Sequence, residues 1–310
     1  MTSATQSPYA WRRLAAVLYR HPRLRIALLL ALPVLWLVGV YGGSLASLLT
    51  QSFFRLDSFA GTIDRTPTLE TWGQLLTAAN RAVIGRTVGM ATAVTLAAVA
   101  VALPLSYYIA RYAPARIKGF MILAVLLPLW SSYLVRVYAW KMILAAEGIV
   151  NWFLTRLGLG GLLQGVLDLP GIGGPSLSVS YLGQFLVFLY IWLPFMILPI
   201  VTALERVPGS FLEASADLGA KPATTFRKIV WPLAIPGIAA GSIFTFSLTL
   251  GDYIIPTVIG DSSPFIGLAI YSQQGVAGNL PAAAAFSFVP IAVMALYLTF
   301  ARRLGAFEAI

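Results

Sequence analysis

Long apolar runs alternate along this chain with shorter polar, charge-bearing stretches, and the runs have the length of membrane spans. A helix needs about 20 apolar residues to cross a hydrocarbon core of about 30 Å. Backbone groups in lipid must be satisfied within their own segment, so each run reads as a helix. Six are expected: Ile26–Thr50, Thr87–Ile109, one beginning near Phe120, Tyr181–Ala203, Leu233–Val258 and Ala282–Phe300. The third is apolar through Trp130 and then turns polar and aromatic from Ser131 to Lys141. A surface helix, Asn151–Leu157, and a Gly/Pro-rich loop, Gly158–Pro175, precede the fourth.

The expected fold class is therefore all-α integral membrane protein with six transmembrane helices. Its expected parts are a basic tail (1–25), a first helix with an outer loop (26–85), a core of five helices (86–303) and a short tail (304–310). The polar connection 204–232 lies within the core. The apolar run after the basic start exceeds the 7–15 residues typical of a cleaved signal, which favours a retained first span. Composition agrees, with 59% hydrophobic and 10% charged residues in 310. Soluble domains carry about 25% charged residues. There is no cysteine, which excludes a disulfide framework and thiolate metal sites.

The formal net charge of +10 changes the picture only through its distribution. With loops assigned alternately, Arg12, Arg13, Arg20, Arg23, Arg25, Arg111, Arg116, Lys118, Arg206, Lys221, Arg227, Lys228, Arg302 and Arg303 fall on one side. Positive charge gathers on cytoplasmic loops, so both termini are expected inside, and a nucleic-acid partner is not.

The connection 204–232 is longer and more polar than two neighbouring spans require. Ser210-x-x-Glu213 fits a capping box, in which serine and glutamate satisfy the first N–H groups of a helix. Phe211, Leu212, Ala214, Ser215 and Leu218 make an apolar-to-small face. Gly219 suits the left-handed residue that closes a helix, and Pro222 suits the first turn of the next. A short helix–turn–helix is expected. No G-x-x-x-x-G-K-[ST] occurs and the one histidine, His21, stands alone, so neither ATP hydrolysis nor His-based catalysis or metal binding is expected here.

Within that segment Glu213-Ala214-Ser215-Ala216-Asp217-Leu218-Gly219, followed by Ile229-Val230-Trp231-Pro232, resembles the cytoplasmic signature of ABC importer permeases. Ser215 and Trp231 replace the alanine and leucine of that pattern. The resemblance extends over about Thr87–Phe300. Ser132 to Lys141, Leu193 to Pro199 and Leu250-Gly251-Asp252-Tyr253 are similar to the first permease of spermidine/putrescine importers. It implies a type I permease fold in a bacterial inner membrane, with a coupling helix between the fourth and fifth spans that docks on an ATPase. Glu213, Ala214 and Gly219 then carry coupling, with Asp217, Lys221 and Arg227 as rim contacts. The implied partners are a second homologous permease, two ATPase subunits, a periplasmic or lipid-anchored solute-binding protein and membrane lipid. ATP and magnesium belong to the ATPase, so no cofactor is expected here.

A polyamine path needs carboxylates for ammonium groups and aromatic faces for cation–π contacts. Asp252 is the one carboxylate expected inside a span, and such a group is a functional candidate by default. Tyr253, Tyr133, Tyr138 and Trp140 supply aromatics, which an interfacial belt would also explain. Arg136 and Lys141 share that stretch; Arg136 either repels a dication or pairs with Asp252. Relatives of this kind also include transporters for opines and aminoethylphosphonate, which stay open as solutes. An ion-coupled secondary transporter needs intramembrane carboxylates or unwound helices in paired halves, and neither an inverted repeat nor a second carboxylate is present.

Overall fold

The computed structural model describes residues 19–303 except Ser58 and Ser262. Helix α1 (Arg25–Gln51) includes a wide π-helical stretch, Leu37–Gly42. A β-hairpin follows, β1 (Arg55–Asp57) paired antiparallel with β2 (Thr62–Asp64) so that Leu56 faces Ile63. Then come α2 (Glu70–Leu75), α3 (Ala78–Arg111) and α4 (Ala115–Leu126). They lead to α5 (Tyr133–Ile143), α6 (Ile149–Arg156), α7 (Gly160–Leu167), α8 (Tyr181–Glu205) and α9 (Gly209–Asp217). The chain continues through α10 (Pro222–Gly251), α11 (Ile254–Val258), α12 (Ile266–Gly275) and α13 (Leu280–Arg303).

Five of these helices are long and apolar enough to cross a membrane, or six if α4 and α5 count as one broken span. The third expected span is therefore corrected: Ala115–Trp130 and Tyr133–Ile143 are bent by 96° at Ser131-Ser132. The helix tightens to a 3-10 turn, Leu127–Trp130, that contains Pro128, and Ser131 then takes an extended backbone that ends it. The fifth expected span is also corrected. Its helix starts at Pro222, ends at Gly251, and breaks at Asp252 before α11. The loop expected at Gly158–Pro175 contains α7, and α12 and the β-hairpin were not expected.

Helices α3, α8 and α10 form the central trio. On α3 the buried positions Val83, Thr87, Met90, Val94, Ala98, Ala102, Ser106 and Ile109 recur every three or four residues, one stripe of a helix. Many are small, and small residues let backbones approach where lipid supplies no hydrophobic drive between helices. The contact of α8 with α10 is closer still. A Cβ on Gly237 would lie 2.6 Å from the Pro199 carbonyl oxygen, and one on Gly241 would lie 2.9 Å from Met196 Cα.

The trio encloses two apolar cores stacked along the bundle. One holds Met90, Val94, Val137, Phe188, Ile191, Ile255 and Phe265. The other holds Ala98, Ala102, Ile109, Met196, Ile200, Leu204 and Val230. Helix α1 stands apart: none of its most apolar stretch is buried within the chain, and its C-terminal part packs on α13. Arg55 in β1 bridges Asp64 at 3.1 Å and Glu70 at 3.4 Å. Hydrogen bonds from the Thr66 N–H and hydroxyl, and then from Arg55, hold the Asp64 carboxyl below the usual range.

Candidate functional site

The polar connection folds as the expected helix–turn–helix, with one correction. Helix α9 starts one residue before Ser210, because Pro208 takes the capping position in extended conformation. Ser210 is thereby inside the first turn and no side chain caps the helix, so the Ser210–Glu213 capping box does not form. The other end follows expectation closely. Gly219 has φ +71°, its N–H donates to the Ala216 carbonyl at 2.8 Å, and the Ala220 N–H donates to Ser215 at 3.0 Å. This is the paired bonding of a Schellman closure, which satisfies carbonyls the helix leaves free. Pro222 then opens α10 at its first position.

The two arms are joined and anchored. Ser215, buried in the hairpin, shares a hydrogen bond with Thr225 at 2.8 Å. Leu212 and Phe226 pack on the core around Leu204 and Val230. The second arm runs without interruption into the long helix. A π-helical turn, Phe226–Val230, lies where Pro232 offers no N–H and its ring crowds the carbonyl four residues back. Glu213, Ala214, Asp217, Gly219, Lys221 and Arg227 are all exposed. Leu218 is 87% exposed and Phe211 50%, and both line a groove of about 440 Å³ with Ala214, Ser215, Thr224 and Lys228.

Sequence reasoning missed what holds this hairpin to the bundle. Arg111, the last residue of α3, donates from one Nη2 to the carbonyls of Leu204 (2.8 Å) and Val207 (2.6 Å). Lys118 on α4 bridges Glu205 at 2.8 Å. A guanidinium is suited to the orphan carbonyls at a helix C-terminus, where the dipole is also negative. The only sequence signal was the basic cluster at 111–118, which orientation already explained.

At the far end of α10 the helix break gathers the other candidates. Asp252 Oδ1 accepts from the N–H groups of Ile254 (2.8 Å) and Ile255 (3.0 Å), capping α11. Its Oδ2 accepts from the Tyr133 hydroxyl at the start of α5. The expected alternative of an Arg136–Asp252 ion pair is not formed: the ion pairs among the described residues are those of Arg55 and Lys118. Tyr133 and the α11 backbone occupy the carboxylate instead. The Arg136 guanidinium lies 5.9 Å from the centre of the Tyr133 ring, and its Nε and one Nη are buried without a hydrogen-bond partner among the described residues.

Tyr133 stacks on Trp192 at 5.7 Å, and Tyr253 stacks on Tyr271 at 5.0 Å. Trp140 packs on Tyr190 at 4.9 Å, while Tyr138 is exposed and faces away from the core. The structure thus brings together Asp252, Tyr133 and Arg136, with Tyr253 beside them in sequence. Trp192 joins them through its stack and lay unremarked in the apolar run of the fourth span. Among the described residues no cluster of three or more His, Asp or Glu could hold a metal ion.

Comparison with known proteins gives consistent matches. The model of the family "Binding-protein-dependent transport system inner membrane component" matches residues 177–306. The chain is 53% identical over 298 residues to the inner membrane ABC transporter permease protein YdcU of Escherichia coli (strain K12), covering 96% of this chain and 95% of that one. It is 30% identical over 232 residues to the spermidine/putrescine transport system permease protein PotB of Salmonella typhimurium (strain SL1344), covering 74% and 77%. The crystal structure of a bacterial ABC transporter involved in the import of the acidic polysaccharide alginate shares the fold. It superposes with a TM-score of 0.68 at 16% identity, covering 94% of this chain and 98% of that one.

Proposed function

The chain belongs to the family of binding-protein-dependent transport system inner membrane components, and on that premise we propose that α9 is its handle for a separate ATPase and that its solute is a polyamine. As an ABC importer permease it is a multi-pass inner-membrane protein of a system that includes a solute-binding protein. The remaining assembly is part of the reading: a second homologous permease completing the pathway, two ATPase subunits that bind ATP and magnesium, and cytoplasmic termini.

One observation carries the handle. The signature residues sit on a helix closed by Gly219, exposed at Glu213, Ala214 and Asp217, yet continuous through α10 with the bundle. A partner that moves α9 therefore moves a span directly. Cross-linking tests it: because the chain has no cysteine, an Asp217→Cys complex with cysteines placed on the ATPase surface reports docking cleanly. Nucleotide-dependent cross-linking is expected, and its absence in an assembled complex contradicts the reading.

The polyamine reading rests on Asp252 with Tyr133, Tyr253 and Trp192, and on similarity to a spermidine/putrescine permease. A carboxylate has about four acceptor sites, and three are used here, which leaves room for one ammonium. Asp252→Asn keeps an acceptor for the α11 cap but removes the charge. Putrescine uptake is expected to fall while ATPase stimulation by loaded binding protein partly survives; unchanged uptake kinetics remove Asp252 from the path. A second reading is favoured by the Arg136 guanidinium, whose Nε and one Nη lack a hydrogen-bond partner among the described residues and would suit a solute with an anionic end, such as an opine or aminoethylphosphonate. Competition of each against labelled putrescine separates the two.

A further inference from the structure

The hairpin is held to the bundle by more than its own chain continuity. Two basic side chains from the α3–α4 corner grip the segment that leads into α9. Arg111 bonds the Leu204 carbonyl in the last turn of α8 and the Val207 carbonyl beyond it. Lys118 reaches Glu205, between those two carbonyls in sequence, at 2.8 Å. Leu204 and Val207 are themselves buried, at 0% and 4% exposure, so this grip closes on packed backbone. Tyr107, one turn before Arg111, packs edge-on against Phe226 of the other hairpin arm at 5.6 Å.

We propose that Arg111 and the Lys118–Glu205 pair are positioning residues that make the α3–α4 corner move with α9 as one body during transport. The physical argument compares what each strand of the link can transmit. The connection from α8 to α9 is three residues, Arg206-Val207-Pro208, and such a linker bends readily on its own. The Arg111 guanidinium pins the middle of that linker at Val207 to the end of α8 at Leu204, and Lys118 holds Glu205 beside it, so swinging α9 about Val207 strains charge-assisted bonds. Displacement of α9 then reaches four helices together: α8 and α10 by covalent continuity, α3 through Arg111, and α4 through Lys118. Helix α4 leads through the Ser131-Ser132 bend to α5, whose Tyr133 holds Asp252 at the opposite end of α10. The inference rests on the docking of α9, and it adds which side chains distribute the movement.

The test uses the assembled transporter with both permeases and the ATPase. Spin labels at exposed Arg116→Cys in α4 and Ser210→Cys in α9 report their separation in nucleotide-free and vanadate-trapped states. With Arg111 and Lys118 intact the separation is expected to stay within about 2 Å between states. In Arg111→Leu, or in Glu205→Gln, it is expected to change between states, and uptake per ATP to fall about tenfold. The reversed pair Lys118→Glu with Glu205→Lys is expected to restore both readings, and loss of Arg111 that prevents folding leaves this pair as the decisive comparison. A separation that already changes between states in the intact protein overturns the proposal. So does unaltered separation and coupling in the variants. The Asp217→Cys cross-link is run alongside: its absence in the intact complex means docking itself fails, whereas its presence with those outcomes means only the bracket fails.

Discussion

Single residues decide the geometry at both ends of α10. Gly219 holds φ +71°, and a Cβ there would meet nothing within 4 Å, so substitution costs only backbone strain. Gly219→Ala is expected to cost about 1–2 kcal/mol, read as a lowered unfolding temperature of the purified complex with transport retained. Gly219→Pro is incompatible with that φ and also deletes the N–H bonded to Ala216, so it is expected to abolish coupled uptake. Normal transport from the proline variant contradicts the account of the hairpin. Asp252 shows how a residue can be found correctly and its setting misread. The sequence marked the carboxylate because charge inside a span is rare, but an apolar run through Val258 hid the helix break that it caps.

At the scale of elements, the α8–α10 contact depends on two glycines facing backbone. A Cβ on Gly237 would lie 2.7 Å from Ala203 Cβ as well as 2.6 Å from the Pro199 carbonyl oxygen. Gly237→Ala is expected to force the helices apart at a cost of about 1–3 kcal/mol, seen as a lower yield of assembled complex in gel filtration. Unchanged yield and melting contradict the close approach. The elements most legible in the sequence were α1, α3, α8, α10 and α13, because membrane spans are long and backbone satisfaction admits few alternatives. The hairpin was legible for a different reason: Gly219 and Pro222 are residues whose backbone preferences act locally. What stayed hidden depended on contacts across the fold. Tyr133 finds Asp252 from 119 residues away. Likewise Arg111 found carbonyls 93 and 96 residues on, whereas the lost Ser210–Glu213 cap was a local misreading, since Pro208 two residues earlier takes the capping position.

For the whole molecule, a three-helix centre is flanked by exposed apolar faces. Helix α1 buries nothing of its most apolar stretch within the chain, and the proposed reading gives those sides to lipid or to a second permease. The chain also carries no phosphate-binding loop, while its exposed hairpin leads straight into a span. Together these features fit the proposed reading of a subunit driven by a separate ATPase. The most direct measurement of that claim is putrescine uptake into proteoliposomes holding both permeases and loaded binding protein, with and without the ATPase subunits. Uptake is expected only when the ATPase subunits and ATP are both present. Accumulation driven by an ion gradient alone, with the ATPase subunits left out, contradicts the account.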